Sequence, residues 1–162
     1  MAEPVEVTTD AAAVMALLKA RGLTIAVAES LTGGLLVAEL VSVPGASAVL
    51  RGGVVAYATE LKNTLLGVDA DLLAASGPIH PDVARGMAEG VRSRLGADVG
   101  IATTGVAGPD PQDGHAPGEV WLGFANGESV TAVGLALGGD RAAIRGDTVS
   151  ESLSRLRELL QE

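Results

Sequence analysis

The sequence predicts an α/β domain, a three-layer α/β/α sandwich built on a mixed, mostly parallel sheet. Three observations carry this expectation. Short apolar runs at 23–28, 52–57 and 98–103 are continuous, as in strands buried on both faces. Segments of helical spacing separate them, the alternation that builds parallel sheets. Asn126-Gly127, between runs at 119–125 and 129–137, is a hairpin signal that adds antiparallel strands.

Each element has its own reason. Residues 8–21 place Val14, Leu17 and Leu18 on one helical face, with Gly22 as the stop. The first apolar run leads into Ala28-Glu29-Ser30-Leu31-Thr32-Gly33-Gly34. From Gly33 and Gly34 a helical pattern opens through Leu35, Leu36, Ala38, Leu40 and Val41, and Pro44-Gly45 ends it. The run Gly52-Gly53-Val54-Val55-Ala56-Tyr57 reads as a second buried strand, after which Thr59 is placed to cap a short helix carrying Glu60, Lys62 and Leu65. A proline-led helix over 81–95 sets Val83, Met87, Val91 and Leu95 at four-residue spacing, and Gly86 and Gly90 permit close packing. The third strand ends in Thr104-Gly105-Val106-Ala107-Gly108-Pro109. The last helix starts near Asp140 and runs to about residue 160, with Ile144, Val149, Leu153, Leu156 and Leu160 as its apolar positions.

Composition narrows the function classes. The 162 residues fit one domain, 1–162, with no repeat or linker. A formal net charge of −9 argues against a general nucleic-acid surface, while leaving room for one phosphate on a local arginine. With no cysteine, the chain has neither disulfides nor thiolate chemistry, and two isolated histidines make a poor metal site, so no metal and no cofactor are expected. The acidic start, 1–6, lacks the basic region of a signal peptide, and no apolar run spans a membrane. A cytoplasmic protein without membrane attachment is the expectation.

Ligands in such folds bind beyond the carboxyl ends of the parallel strands. Ser30, Tyr57 and Thr104 all fall there. Ser30 sits where free amides and a helix dipole favour an oxyanion or a phosphate, and Gly33 and Gly34 admit close approach. A capping serine followed by a packing glycine pair explains the same residues. The chain has one tyrosine and two lysines against nine arginines. Lysine, unlike arginine, can act as a base once burial lowers its pKa from about 10.4. Lys62 therefore reads either as a solvated helix residue or as the base for Ser30. Tyr57 reads as a rim aromatic or a proton relay. Arg141 and Arg145, at i and i+4, share a face and either grip a phosphate or form surface ion pairs. His80 fits a helix cap, His115 belongs to a loop near the site, and Asp110 and Asp113 suit solvated loop positions.

The motifs at 28–34, Gly52 to Tyr57 with Lys62 following, Thr104 to Pro109, and Gly139-Asp140-Arg141-Ala142-Ala143-Ile144-Arg145 together resemble the C-terminal domain family of the competence-damage-inducible protein CinA. The resemblance covers residues 8 to 160 and implies hydrolysis of nicotinamide mononucleotide to nicotinate mononucleotide and ammonia, a step of pyridine nucleotide salvage. It implies Ser30 as nucleophile, Lys62 as base and Tyr57 as assistant. It implies substrate contacts from Thr32, Gly33, Gly34, Thr104, Gly105, Arg141 and Arg145, with amides at the start of the helix after Ser30 holding the oxyanion. Where the family commonly has Asn between the tyrosine and the lysine, this chain has Thr59; His80 and Glu119 also depart from the family pattern. Longer relatives carry an N-terminal domain, so the expectation is a stand-alone form, associating as a homodimer or larger homo-oligomer. The alternatives are a non-catalytic nucleotide-binding or regulatory module, and a hydrolase of another small amide or ester.

Overall fold

The computed structural model describes residues 7–162, and the acidic stretch 1–6 lies outside them. Helix α1 (Thr9–Arg21) opens on Thr8, whose hydroxyl accepts from the Ala11 amide, and closes on Gly22 in the left-handed conformation. It buries Val14 and Leu18, with Leu17 only partly covered. Strand β1 (Ile25–Glu29) is buried at all five positions. Helix α2 (Leu35–Val41) begins after the glycine pair rather than on it, because Gly33 and Gly34 take positive φ and form the turn itself. A single 3₁₀ turn (Ala46–Ala48) leads to strand β2 (Leu50–Val55).

The sheet runs β2-β1-β3-β4-β5, where β3 is Val99–Gly105, β4 is Glu119–Asn126 and β5 is Ser129–Ala136. β1 pairs in parallel with both β2 and β3, and the β4–β5 hairpin completes the sheet antiparallel. Gly127, at φ 60°, makes the first residue of its turn. Helices α1, α2 and α6 (Arg141–Gln161) pack one face, with Ile25, Val27, Val99 and Ile101 beneath them. On the other face lie α3 (Thr59–Thr64), α4 (Ala70–Ser76) and α5 (Pro81–Arg94), over Ala26, Ala28 and Ala102. The three layers of the expected sandwich are thus present.

Two local expectations need correction, and one helix goes unanticipated. β2 is not buried on both faces: it is an edge strand, alternating partly buried and exposed, because β1 rather than β2 takes the position between two neighbours. Its valine run reflects one covered face and β propensity. Thr59 does not cap α3; Ala58 holds that position and no side chain caps the helix. α4 has no strong apolar period and escapes a pattern reading, although Asp69 caps it by accepting from the amides of Asp71 and Leu72.

Elsewhere the local logic holds. His80 caps α5, its Nδ1 accepting from the Asp82 amide, with Pro81 at the first helical position. Gly90 lets the chain leaving α3 lie on α5, since a Cβ there would stand 1.8 Å from the Leu66 carbonyl oxygen. On α6, capped by Asp140, Ile144, Leu153, Leu156 and Leu160 are buried, but so are Thr148 and Ser152. Their hydroxyls donate to the carbonyls of Ile144 and Thr148, which removes the cost of burying them.

Candidate active site

Strand alternation sorts the residues around Ser30. Odd-numbered positions of β1 and β3 face α2 and α6; even-numbered ones face α3 and α5. Ser30, one residue past β1, belongs to the second set, and there it meets Lys62. Lys62 Nζ lies 2.8 Å from Ser30 Oγ. The same amine donates to the carbonyl of Ala56 at 2.7 Å and to that of Tyr57 at 3.4 Å. Parallel pairing of β1 with β2 makes this contact: Glu29 is in register with Val55, so the chain leaving β2 passes beside Ser30 and α3 carries Lys62 back onto it.

Lys62 is 1 % exposed and is the largest fully buried side chain. Burial pulls its pKa down from 10.5 to about 8, against an opposing upward pull from Glu60. Its hydrogen-bonding shell suits both protonation states. As an ammonium it donates three hydrogens, to two carbonyls and to Ser30 Oγ. As a neutral amine it keeps the two carbonyl bonds and turns its lone pair to the Ser30 hydroxyl. A proton can therefore pass from serine to lysine without rebuilding the site, as preorganised catalysis requires.

Ser30, Lys62, Tyr57, Thr104, Gly105 and Arg141 line a single cavity of about 370 Å³. The far wall is the loop after β3, from Val106 to Gln112. Thr104 Oγ1 donates to the Pro78 carbonyl, so its hydroxyl is anchored. The Tyr57 ring is largely exposed and its phenol lies 3.4 Å from Arg141 Nη2; it is the Tyr57 carbonyl that reaches Lys62. Arg141 Nη1 donates to the Gly108 carbonyl at 2.6 Å. One guanidinium therefore spans from the loop to the tyrosine at the cavity rim.

Thr32, Gly33, Gly34 and Arg145 are absent from the cavity lining: the first three belong to the turn after Ser30, and Arg145 holds that turn. Arg145 Nε donates to the Leu31 carbonyl at 2.9 Å and Nη2 to the Thr32 carbonyl at 3.2 Å. The shared helical face of Arg141 and Arg145 is thus divided between cavity and turn. His115 also stays out of the lining and pairs with Glu119 through Nδ1 at 2.7 Å.

Several contributors escape a sequence reading. Glu29 is 1 % exposed, and its carboxylate accepts from the amides of Leu36 and Val37, replacing the missing side-chain cap of α2. Thr103 Oγ1 accepts from the Ser30 amide at 3.4 Å and shares a 2.8 Å hydrogen bond with Thr32 Oγ1. Both residues sit on the odd-numbered face, opposite Lys62. A polar side chain inside an otherwise apolar strand was the available signal. Asp110, expected at a solvated loop position, lines the cavity instead, and Gln112 joins it there.

The family model for the CinA C-terminal domain matches residues 7–160, nearly the whole chain. This chain belongs to the CinA C-terminal domain family. A CinA-like protein of Frankia casuarinae is 51% identical over 147 residues, covering 91% of this chain and 34% of that protein. The chain spans about a third of the length of the curated relatives it matches. Among solved structures, a competence-damaged protein (CinA) superfamily protein from Klebsiella pneumoniae superposes with a TM-score of 0.91 at 31% identity. That match covers 94% of this chain and 96% of the other. The competence/damage inducible protein CihA of Agrobacterium tumefaciens gives 0.89 at 30% identity, covering 97% and 99%. The CinA fold and the residues 28–34, 104–109 and 139–145 that suggested it therefore agree. Among the described residues, no helix is long and apolar enough to cross a membrane.

Proposed function

We propose that this domain hydrolyses the carboxamide of nicotinamide mononucleotide to nicotinate mononucleotide and ammonia, with Ser30 as nucleophile and Lys62 as general base. The observation that supports this reading best is the 2.8 Å contact between a desolvated amine and a hydroxyl at the end of a parallel strand. The substrate itself is inferred from the family resemblance together with a cavity that offers Lys62 at one side and Arg141 at its rim.

In the first step neutral Lys62 takes the Ser30 proton as Oγ bonds to the carboxamide carbon, and the carbonyl electron pair moves onto oxygen. Collapse of the tetrahedral species breaks the C–N bond, and the Lys62 ammonium protonates the departing nitrogen, which leaves as ammonia. A water molecule then gives a proton to Lys62 while its oxygen bonds to the acyl carbon. The C–Oγ bond breaks, Ser30 recovers its proton from Lys62, and nicotinate mononucleotide is released. Arg141 is the cation in the lining that suits the nucleotide phosphate, and Tyr57 would steady that guanidinium at the rim.

The oxyanion cannot draw on the start of α2. The amides of Leu36 and Val37 are held by Glu29, and those of Gly33 and Leu35 by the carbonyls of Ser30 and Thr32. The turn directly after Ser30 is the remaining source of donors. Incubation with nicotinamide mononucleotide while ammonia is measured tests the reading: wild type is expected to release it, and Lys62→Arg, which keeps the charge but cannot give up a proton, is not. Saturable binding without ammonia release would favour a nucleotide-binding module instead.

A further inference from the structure

The nucleophile and its base reach each other from two different elements, and α5 supports both. We propose that Arg94 is a positioning residue for the reaction: it locks the helix that carries Lys62 onto α5, and so holds Lys62 Nζ against Ser30. The inference rests on the reading of Ser30 as nucleophile and Lys62 as base.

Helix α3 has little of its own to keep it in place. It has six residues, no side-chain cap at its start, and Lys62 as its buried residue. So short a helix is unstable by itself, because the cost of nucleation outweighs so few hydrogen bonds. Its far end is closed locally. The amides of Gly67 and Val68 donate to the carbonyls of Asn63 and Lys62 at 2.8 and 3.0 Å, and Asn63 Nδ2 donates to the Val68 carbonyl at 2.9 Å. Those bonds shape the turn without placing it in the fold. Contacts with α5 place it. Leu66 and Val68 are buried over Gly90 and Gly86. Arg94, the last residue of α5, donates through Nη1 to the carbonyls of Thr64 and Leu65 at 3.1 and 2.9 Å.

The surroundings fit this role. Thr64 and Leu65 end α3, where the helix dipole leaves partial negative charge and a guanidinium is favoured. Gly67 gives that guanidinium its seat: it takes φ 74°, and a Cβ there would stand 3.0 Å from Arg94 Nη2. α5 also backs strand β1, whose Ala26 and Ala28 pack with Val83, Met87 and Val91. Ser30 stands one residue beyond that strand. Tying α3 to α5 therefore sets Lys62 relative to Ser30. Arg94 is itself exposed, lies outside the cavity lining and makes no ion pair among the described residues. Its replacement would loosen the helix of the base and leave the cavity lining unchanged in composition.

The test compares Arg94→Met and Arg94→Lys with Arg85→Met, an exposed arginine of the same helix that pairs with Asp82. Ammonia release from nicotinamide mononucleotide is followed as a function of pH. The rate at which a small fluorophosphonate labels Ser30, read by intact mass, gives a second pH profile independent of the substrate. Arg94→Met is expected to lower kcat about 3–30-fold with KM changed less than about twofold, short of the roughly 100-fold that a misplacement of about 1 Å can cost. As α3 loosens, water reaches Lys62 and relieves the desolvation that lowers its pKa to about 8. The acid limb of both profiles should therefore move to higher pH, by about one unit. Glu60 is the charged group acting on Lys62, and the amine's hydrogen-bond partners, Ser30 Oγ and the carbonyls of Ala56 and Tyr57, are neutral, so the shift reports solvation. Arg94→Lys should fall between, since an ammonium keeps the charge at the helix end but not the planar fork. Arg85→Met should match wild type. An unmoved acid limb in folded Arg94→Met would overturn the inference, whatever happens to its melting temperature, and leave Ser30 and Lys62 in their roles. Should Arg94→Met fail to fold, Arg94→Lys decides by the same criterion. If wild type labels but releases no ammonia, the labelling profiles decide alone. A wild-type Ser30 that neither labels nor supports ammonia release would remove the catalytic reading and this inference together.

Discussion

The two ends of the β1–β3 strand pair carry similar chemistry in opposite surroundings. Where the strands start, Asp98 bonds the amide and hydroxyl of Thr24 at 2.8 and 3.0 Å, and Thr24 Oγ1 accepts from the Asp98 amide at 3.2 Å. Where they end, Ser30 meets Lys62 at 2.8 Å. Both are hydrogen-bonded pairs of a charged group and a hydroxyl. The first is in water, and those hydrogen bonds hold the Asp98 carboxyl below its usual range. The second is buried, and desolvation drives Lys62 towards its neutral form. Exposure makes the one a strand clip; burial makes the other a base. Location in the fold, rather than residue type, separates them.

The sharpest way to break this comparison is to remove the buried pair. Ser30→Ala and Lys62→Arg should each lower ammonia release from nicotinamide mononucleotide by a factor on the order of 10⁴ or more, as with other nucleophile and base deletions. Either variant retaining near wild-type turnover would dissolve the contrast.

The pH dependence has a definite sign. Activity should rise with pH and level off above about 8, as Lys62 sheds its proton. Stability should move too. Below pH 8 the folded state carries a buried ammonium. Between about 8 and 10.5 the unfolded chain still holds a proton the folded one has lost, so stability from this group increases with pH across that window. The full span is worth about 3 kcal/mol. Lys62→Met should accordingly be more stable than wild type at pH 7, with the gap closing towards pH 10, as read from urea midpoints.

Thr103→Val leaves the Ser30 amide and the Thr32 hydroxyl without their partner, at a cost of about 1–3 kcal/mol in stability. A matching fall in kcat without a change in KM would place Thr103 among the groups that orient the nucleophile; Thr103→Ser should restore most of it. The smallest effect belongs to the exposed pair. Asp98→Asn should change stability by less than about 1 kcal/mol at neutral pH and leave turnover unaltered. Because its carboxyl is held low in the folded state, the wild-type advantage should vanish as pH falls through that value, a loss that thermal melts against Asp98→Asn would detect.

Local signals in the chain were enough for the strand runs at β1 and β3, the hairpin at Asn126-Gly127, the cap at His80, the start of the last helix near Asp140, and the position of Ser30 at a strand end. These depend on neighbours within a few residues, where periodicity, glycine freedom and capping chemistry act. The rarity of lysine also pointed to Lys62. Three other matters were decided by tertiary structure. Strand order made β2 an edge and brought residue 62 to residue 30. Side-chain reach sent Arg141 to the cavity and Arg145 to the turn, although their spacing on the helix is symmetrical. Desolvation, the sum of everything packed around one amine, lowered the Lys62 pKa. Each of these is a property of distances across the fold, and chain-local pattern carries no record of them.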